Sequence, residues 1–456
     1  MFEQFKSILE ISNALKEVFA LIISSVVFCF AYFSIFILVY VLNKKIFDSI
    51  KSEKNNLDSY EKKYLKIICV VATLVVVILF NSTNAFYLPT QNGYVREFDV
   101  VYTADTANHL WDNVWMNIGA AENDIRQPLF GVFTIPFAVI PYIISKVLFF
   151  VPNCYSILMA IMQIIIIAYI YILISRLLKL SGAEKILFLI LSNFTYPFLL
   201  FALNMEQYVF ATFWLVLFIY FTLTDRENID YLYIASTGSM LTSGIFFYLL
   251  TESKKIKEWI KDIFKVAIKF LLITVLAGQF IIFVQIIPSL NSLSRFSGAE
   301  VSFLNKLLQF FNFVATCFIG PKTMIDTINF KHISWQLAPV DTINILGIVL
   351  LTVVSIGFIL NRKDKFAQIC MTWVSFSFVI LCLIGWGTQE NGLILYTLYF
   401  SWAYLSLFIL FFKKIFEKEK IRNFVYLLVI VAIIVVNIPS MCQLIKFALE
   451  YYPVIG

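Results

Sequence analysis

Charged residues are scarce in this chain: they make up 14% of its 456 residues, against about 25% in ordinary soluble domains. Hydrophobic residues make up 61%, and apolar runs long enough to cross a bilayer recur along the sequence. No long stretch of soluble character interrupts these runs. A water-soluble fold is therefore excluded, and we predict a single integral membrane domain over residues 1–456.

Patterns of metal binding and disulfide bonding are also lacking. The seven cysteines are scattered, mostly within apolar runs, and no Cys-x-x-Cys spacing occurs. They are typical of small core residues rather than of a disulfide framework or a structural zinc site. The first apolar run, about 18–43, is too long for a cleaved secretory signal and lacks a small-residue cleavage site. We therefore expect it to be a membrane span.

Apolar runs of the length that an α-helix needs to cross a hydrocarbon core of about 30 Å occur throughout the chain. With additional interfacial and juxtamembrane helices, they predict an all-α fold, a polytopic transmembrane helical bundle of about 10–12 spans. The predicted spans are 18–43, 64–86, 154–178, 186–203, 208–224, 267–288, 341–361, 366–386, 393–412 and 423–441.

The orientation of these spans follows from the distribution of lysine. Seven lysines lie between residues 44 and 66, so the positive-inside rule places this loop in the cytoplasm. Segments 88–152 and 289–340 then form two loops on the outer side. Because the net charge of +6 mostly reflects lysines in cytoplasmic loops, it indicates contact with the lipid bilayer and no nucleic-acid partner.

Three further segments are expected to be helical without being simple spans. Pro136 and Pro141 in the apolar run 129–150 favour a juxtamembrane or re-entrant helix. The Thr-Gly-Ser and Thr-Ser-Gly triplets within 230–250 predict two half-length helices that turn back near the outer face. Residues 253–266 predict a basic amphipathic helix on the inner surface.

The first outer loop carries most of the polar chemistry of the N-terminal half. A helix over about 104–118 would divide into an apolar and a polar face at 100° per residue, which is typical of a helix in the membrane interface. The apolar face would present Leu110, Trp111, Val114, Trp115 and Ile118, and the polar face Asp105, His109, Asp112, Asn113 and Met116.

Asp105 stands at the start of this helix. A carboxylate there can cap the helix, or it can accept a proton from an alcohol as a general base. His109 and Asp112 share its face and permit a substrate-binding or metal-binding cluster. The alternative is that they are simply solvated on a wet helix face.

Arg126 and Gln127 precede Pro128 at the mouth of the next apolar run. An arginine at this position can hold a phosphate with two parallel hydrogen bonds. The alternative is an interfacial anchor to lipid headgroups.

Two glutamates are further candidates for substrate binding. Glu206 lies in a very short connection between two predicted spans, which suggests a place on the outer rim. Glu390 occupies a similar outer position before the span 393–412. Tyr396 and Tyr399 follow it, and we interpret them as part of an aromatic belt rather than as the lining of a groove.

This outer loop resembles that of bacterial GT-C superfamily glycosyltransferases, which include protein O-mannosyltransferases and the aminoarabinose transferase of lipid A. The resemblance rests on Asp105-Thr106 beside an interfacial helix, on Arg126 further along, and on Pro128-Leu129-Phe130 opening a juxtamembrane helix. It extends in layout over roughly 64–300. Gln127 stands where the family has a histidine, and Thr106 stands where the protein-mannosylating members have a glutamate.

The resemblance implies an inverting glycosyltransferase at the outer face of a bacterial plasma membrane. The donor would be a polyprenyl-phosphate sugar, and the missing Asp-Glu dipeptide favours a cell-envelope glycan or lipid acceptor over a protein. Asp105 would be the catalytic base, and Arg126 would stabilise the phosphate leaving group. No organic cofactor is implied, and a divalent metal stays open. The other expected substrate-binding residues are His109, Asp112, Gln127, Glu206 and Glu390.

Two other classes of function stay open. A polysaccharide polymerase or ligase also uses lipid-linked substrates and outer-loop arginines, which Arg295 would supply. A lipid or solute transporter needs ionisable residues or unwound helices near the midplane. The near absence of charges from the centres of the predicted spans, and the low count of 15 glycines, argue against a transporter.

Overall fold

Helices make up most of the computed structural model, and strands are confined, among the residues that it describes, to one short hairpin. The described residues are 17–26, isolated positions between 29 and 51, 56–87, 100–102, 125–224, 227–251, 255–277, 279, 296–328, 332–389 and 392–454. The mostly helical character predicted from the sequence is therefore confirmed.

The elements follow one another with short connections. The α-helices are α1 (Ser59–Ser82), α2 (Phe130–Val147), α3 (Cys154–Leu177), α4 (Gly182–Phe194), α5 (Tyr196–Leu203), α6 (Gln207–Leu223), α7 (Ile229–Ser239), α8 (Ile256–Leu276), α9 (Phe303–Thr316), α10 (Ile345–Leu360), α11 (Lys365–Ser377), α12 (Thr397–Ile415) and α13 (Glu419–Tyr451). The strands are β1 (Thr323–Ile328) and β2 (His332–Leu337), and there are 3-10 segments at Leu241–Leu250 and Leu393–Tyr396 and a π-helical segment at Phe378–Ile384.

Six helical stretches in the described part of the chain are long and apolar enough to cross a membrane. They are α1, α2, α3, α13, the stretch Lys365–Ile384 and the stretch Leu393–Ile415. A seventh arises if α4 and α5, which meet at a bend of 58°, form one span. Helices long and apolar enough for a polytopic membrane protein are thus present, while the predicted total number of spans stays a prediction.

Ion pairs and hydrogen bonds gather the ends of five helices at one end of the bundle. Glu61 in α1 accepts hydrogen bonds from Arg176 at the end of α3, at 2.6 Å, and from Lys185 in the first turn of α4, at 3.0 Å. Arg422 in the first turn of α13 pairs with α4, and Lys413 near the end of α12 donates to the turn after α3. We call this the basic end, and the lysine distribution predicts that it is cytoplasmic.

A capping box explains why α1 begins at Ser59. The Asp58 carboxylate accepts from the amide of Glu61 at 2.8 Å, and the Glu61 carboxylate accepts from the amide of Asp58 at 3.0 Å. Burial acts to raise the pKa of Asp58, but hydrogen bonds from Lys185 and from backbone amides outweigh it and hold that pKa below its ordinary value. The carboxylate is therefore charged at neutral pH.

The opposite end of the bundle is held by backbone pairing. Thr83 after α1 forms a β-bridge with Pro453 after α13, and the hydroxyl of Tyr452 donates to the backbone of β2. The amide of Tyr102 donates to the carbonyl of Trp335 in β2 at 2.8 Å, so residues 100–102 lie alongside the hairpin. We call this the far end.

The hairpin lies within the segment predicted as the second outer loop, 289–340, where no strand was predicted. Its two strands pair antiparallel in the register Thr323 with Leu337. Alternating side chains such as Ile333 and Trp335 turn one face toward the end of α13, where Trp335 contacts Phe447. The strands are thus stabilised by packing on a membrane helix, a contact that the local sequence does not reveal.

Helix α2 joins two points at the same end of the bundle. Asn153, just before α3, donates to the hydroxyl of Tyr87, just after α1, at 2.7 Å. An even number of crossings must therefore lie between residues 87 and 153. Helix α2 either does not cross, as the re-entrant interpretation holds, or is paired with a crossing in the part of 88–124 outside the described residues.

The segment 230–250 folds back on itself, as its Gly and Ser content predicts. Helix α7 and the 3-10 segment run antiparallel, with the hydroxyl of Tyr233 donating to the carbonyl of Gly244 at 2.9 Å and Ser236 donating to Ser243 at 2.9 Å. We call this pair the re-entrant hairpin; its tip is at Met240 and its base is at the basic end.

Helix α8 departs from the prediction. A surface helix was expected to end near residue 266, with a span beginning at 267. The structure instead has one continuous helix, Ile256–Leu276, because neither proline nor glycine interrupts the sequence between these residues.

Candidate functional site

A cavity of about 370 Å³ lies between the tip of the re-entrant hairpin, the start of α6 and the far-end parts of the α11 and α12 stretches. This volume is within the range of small-molecule binding sites. Its lining is mostly apolar and aromatic. The lining residues are Ile125, Arg126, Gln127, Tyr208, Met240, Leu241, Thr242, Phe376, Ile380, Leu381, Trp386, Tyr396, Tyr399 and Phe400.

Two of the predicted substrate-binding residues, Arg126 and Gln127, are in this lining. Backbone hydrogen bonds hold them against the hairpin tip. The carbonyl of Arg126 accepts from the amide of Leu241 at 2.8 Å, and the amide of Leu129 donates to the carbonyl of Gly238 at 2.8 Å. The segment before α2 is thereby fixed at two points, and Arg126 lies at the cavity wall because of them.

Arg126 is the one charged residue among the described lining residues. Its guanidinium carbon lies 5.5 Å from the centre of the Phe296 ring, a distance at which a cation is attracted to the ring face. Phe296 lies against Trp386, and the indole of Trp386 donates to the hydroxyl of Tyr396 at 2.8 Å. An arginine placed over aromatic rings keeps its charge with few water contacts, which strengthens its attraction for an anion.

Gln127 is buried beside Arg126. It stands at the position where the resembled family has a histidine, and its amide provides both a donor and an acceptor but no titratable group. It can therefore orient a polar ligand in the cavity, but it cannot transfer a proton.

Three tyrosines and one threonine supply hydroxyl groups to the lining. Tyr399 is only 2% exposed, and its hydroxyl shares a hydrogen bond with Thr242 at 3.2 Å. Tyr396 lies edge-on to Tyr208, with ring centres 5.3 Å apart. The interpretation of Tyr396 and Tyr399 as an aromatic belt was wrong, because the start of α12 is enclosed by α6, α11 and the re-entrant hairpin rather than facing lipid.

The wall from α11 onward was not predicted. Helix α11 continues into the π-helical segment, which supplies Ile380 and Leu381 to the lining and ends at Gly385 with a φ of 78°. A π-helical turn is wider than an α-helical turn and is often found at functional sites. Its sequence, FVILCLI, has the pattern of an ordinary apolar helix, so no local signal identified it.

Glu206 is not on the outer rim, and that part of the prediction was wrong. It is fully buried in the break between α5 and α6, where its amide donates to the side chain of Gln163 at 3.2 Å. The amide of Gln163 also donates to the carbonyls of Phe201 and Asn204. One side chain of α3 thus satisfies backbone groups freed by the break, which allows α5 to end inside the bundle.

The depth of Glu206 follows from its partner. Gln163 is 13 residues from Arg176 along α3, which corresponds to about 20 Å from the basic end. Tyr208, two residues after Glu206, lines the cavity. Glu206 therefore lies inside the bundle near the cavity wall, at a level well below the far end.

The other candidate residues, Asp105, His109, Asp112, Glu390 and Arg295, lie outside the described residues. The points where the chain enters and leaves the segment 103–124 are described. At its start, the hydroxyl of Tyr102 accepts from the indole of Trp335 at 3.0 Å and shares a hydrogen bond with Tyr196. At its end, residues 125–127 line the cavity.

Tyr102 is a strongly constrained anchor for this segment. Its φ of 56° is in the left-handed region, which is costly for a residue with a side chain. Burial raises the pKa of Tyr102 to about 12, although hydrogen bonds with Tyr196 and Trp335 act in the opposite direction. Its hydroxyl is therefore protonated at every physiological pH, and the anchor does not depend on titration.

Metal ligands are not grouped in the described part of the chain. No cluster of three or more His, Cys, Asp or Glu side chains occurs there. The predicted metal option depends on Asp105, His109 and Asp112, so it stays a prediction.

Comparison with known proteins found no matching family model, curated protein or solved structure.

The contact between Gly238 and Leu129 provides a test of how the cavity wall is held. A Cβ at Gly238 would lie 2.7 Å from the Cβ of Leu129, an overlap that requires movement of the backbone. We expect Gly238→Ala to destabilise the protein by about 1–3 kcal/mol and to lower the midpoint of thermal unfolding in detergent. Gly244→Ala is the matched control, since its new Cβ would meet only ordinary contacts at 3.5 Å or more. Equal midpoints for the two variants would contradict the close packing.

Proposed function

We propose that the protein is a membrane glycosyltransferase of the GT-C type. It transfers a sugar from a polyprenyl-phosphate donor to a cell-envelope glycan or lipid, at the outer face of a bacterial plasma membrane. One observation carries the proposal: the apolar, aromatic cavity has a single charged residue, Arg126, among its described lining residues.

The chemistry of the cavity suits an amphipathic donor. Apolar walls made by Met240, Ile380 and Leu381 favour an isoprenoid chain, which gains free energy on leaving water. A guanidinium favours a phosphate, since its planar donors match two phosphate oxygens. A lipid-linked sugar has both parts, whereas a nucleotide sugar has no long apolar chain and is not found outside the cell.

The reaction that we propose is an inverting displacement at the anomeric carbon. The acceptor hydroxyl gives its proton to Asp105 while its oxygen forms a bond to that carbon. The bond from the same carbon to the phosphate oxygen breaks, and its electron pair stays on the phosphate. Arg126 stabilises the negative charge that develops there. Gln127 orients the donor, and His109, Asp112, Glu206 and Glu390 are the further candidates for holding the substrates.

Substitution of Arg126 tests the role of its side chain in donor binding. Lysine keeps the positive charge but loses the two-pronged donor, so Arg126→Lys should slow transfer about tenfold, the equivalent of one charge-assisted hydrogen bond. Arg126→Gln should slow it by about 10²–10³-fold. The measurement is transfer from a labelled polyprenyl-phosphate sugar in reconstituted vesicles, with unfolding midpoints to show that the variants are folded.

Arg362→Lys is the matched control, because Arg362 lies in the turn between α10 and α11 at the basic end, away from the cavity. Its rate should equal that of the unchanged protein. If Arg126→Lys retains the full rate and the full apparent affinity for the donor, Arg126 is an interfacial anchor and the donor phosphate is bound elsewhere.

A transporter is the second candidate, and one observation favours it. Helices break inside the bundle at the bend between α4 and α5, at Glu206 and at the tip of the re-entrant hairpin, and discontinuous helices are typical of transporter binding sites. A donor labelled in both sugar and lipid separates the two functions. Transfer cleaves the bond between the labels, whereas transport moves both labels together across the membrane.

A further inference from the structure

Helix α8 lies across the base of the re-entrant hairpin rather than along it. Trp259 contacts Phe247 near the base, with ring centres 5.6 Å apart. Ten residues further on, Lys269 forms an ion pair with Asp230, in the first turn of α7. Ten residues of helix span about 15 Å, yet both partners lie at the base of the hairpin. The helix axis therefore runs roughly along the surface of the basic end.

Helix α8 has three faces at 100° per residue. One packs on the protein through the buried side chains of Val266 and Ile273. The next is an apolar stripe that the protein leaves uncovered: Ile256 is 75% exposed, Ile260 is 55% exposed and Phe264 is 65% exposed. The position beyond that stripe is taken by a row of lysines, which are Lys257, Lys261 and Lys265.

The order of these faces is that of a helix at the boundary between lipid chains and headgroups. An apolar stripe next to lysines can enter the acyl region while the ammonium groups remain among the headgroups. Residues 255–269 contain five lysines and two acidic residues. One of those acids, Glu258, is already paired with Lys255, so the row formed by Lys257, Lys261 and Lys265 determines the charge that the helix presents.

We infer that the first half of α8 is a binding surface for the anionic phospholipids of the leaflet at the basic end. Phosphate headgroups bind Lys257, Lys261 and Lys265, and the adjoining acyl chains cover Ile256, Ile260 and Phe264. An acidic soluble protein would match the lysines but not the uncovered apolar stripe beside them. This inference does not depend on whether the chain transfers sugars.

The test places a fluorescent label next to the apolar stripe. In a cysteine-free protein, Ile260→Cys carries a bimane group, and the protein is reconstituted in vesicles of equal parts phosphatidylcholine and phosphatidylglycerol. Either one lipid or the other has brominated acyl chains, which quench nearby bimane. The ratio of the two quenching efficiencies measures which lipid is enriched at α8. Both leaflets have the same composition, so the direction of insertion does not affect the ratio.

We expect brominated phosphatidylglycerol to be enriched at residue 260 by about fivefold or more, since each lysine near an anionic surface contributes about that factor. The variant Lys257→Gln, Lys261→Gln, Lys265→Gln should bring the ratio close to one. A label at Val431, an exposed residue of α13, should give a ratio close to one throughout. The variant Lys363→Gln, Lys418→Gln, Lys420→Gln is the matched control, because these lysines are also exposed at the basic end, and it should retain the enrichment.

Three results would overturn the inference. The first is a ratio close to one at residue 260 in the protein with its lysines intact. The second is an equal loss of enrichment in the two triple variants, which would assign the effect to the overall charge of the basic end. The third is no quenching by either lipid, which would place the stripe away from the bilayer and favour a protein partner. Unchanged unfolding midpoints show that the variants are folded.

Discussion

Asp105→Asn should abolish nearly all sugar transfer while leaving expression and membrane insertion unchanged. Asparagine caps a helix about as well as aspartate, so a capping role would cost only a few tenths of a kcal/mol. Asparagine cannot accept a proton, however, and the loss of a positioned general base commonly lowers the rate by about 10²–10⁴-fold. The measurement is the initial rate of transfer at saturating donor and acceptor, beside the unfolding midpoint.

The matched control for this prediction is Asp112→Asn, which makes the same chemical change about two helical turns further along the predicted helix. Its effect on the rate should be milder, because we assign it to substrate binding rather than to proton transfer. A fully active Asp105→Asn protein would remove Asp105 as the base. The proposed function would then depend on Arg126 and the cavity alone.

Glu61→Gln should destabilise the protein strongly, by about 3–5 kcal/mol. The Glu61 side chain is only 1% exposed, and it pairs with Arg176 and Lys185, whose side chains are 14% and 10% exposed. Removing its charge leaves two cations in a poorly solvated place without their main counter-ion. The measurement is the midpoint of thermal unfolding in detergent, together with the yield of membrane-inserted protein.

Glu258→Gln is the matched control, because Glu258 pairs with Lys255 where both side chains are well exposed. Exposed pairs contribute about 0–1 kcal/mol, so its midpoint should barely change. Acid should weaken the Glu61 cluster as well. The pKa of Asp58 is held below its ordinary value, so its contribution is present at neutral pH and is lost as the pH falls through that lowered pKa. Equal midpoints for Glu61→Gln and Glu258→Gln would show that the cluster does not stabilise the fold.

The helical elements were largely predictable, because apolar runs and lysine distribution act locally. The runs at 154–178 and 393–412 correspond to α3 and α12, and the Gly and Ser triplets correctly predicted the re-entrant hairpin. Elements whose stability depends on distant contacts were missed. The β1–β2 hairpin packs on the end of α13, and its sequence has no Asn-Gly or Asp-Gly turn that would identify it.

The candidate site was predictable only in part, for a similar reason. Arg126 and Gln127 were identified because charge and proline at the mouth of an apolar run are visible in the sequence, and both line the cavity. Tyr399 was misplaced because nothing in its own segment indicates that α12 is enclosed. The position of Glu206 was wrong because the break after α5 is stabilised by Gln163, a residue 43 positions away.

The cluster around Glu61 also has a consequence for the order of assembly during synthesis. Arg176 follows Glu61 by 115 residues and Lys185 follows it by 124, so translation takes on the order of ten seconds to supply both partners. Until then α1 has left the ribosome with a carboxylate that has no buried counter-charge, and it stays at the membrane surface at that end. Helix α1 is therefore locked in place only when the first turn of α4 has been made, and the first described candidate span to be synthesised is not the first to be settled.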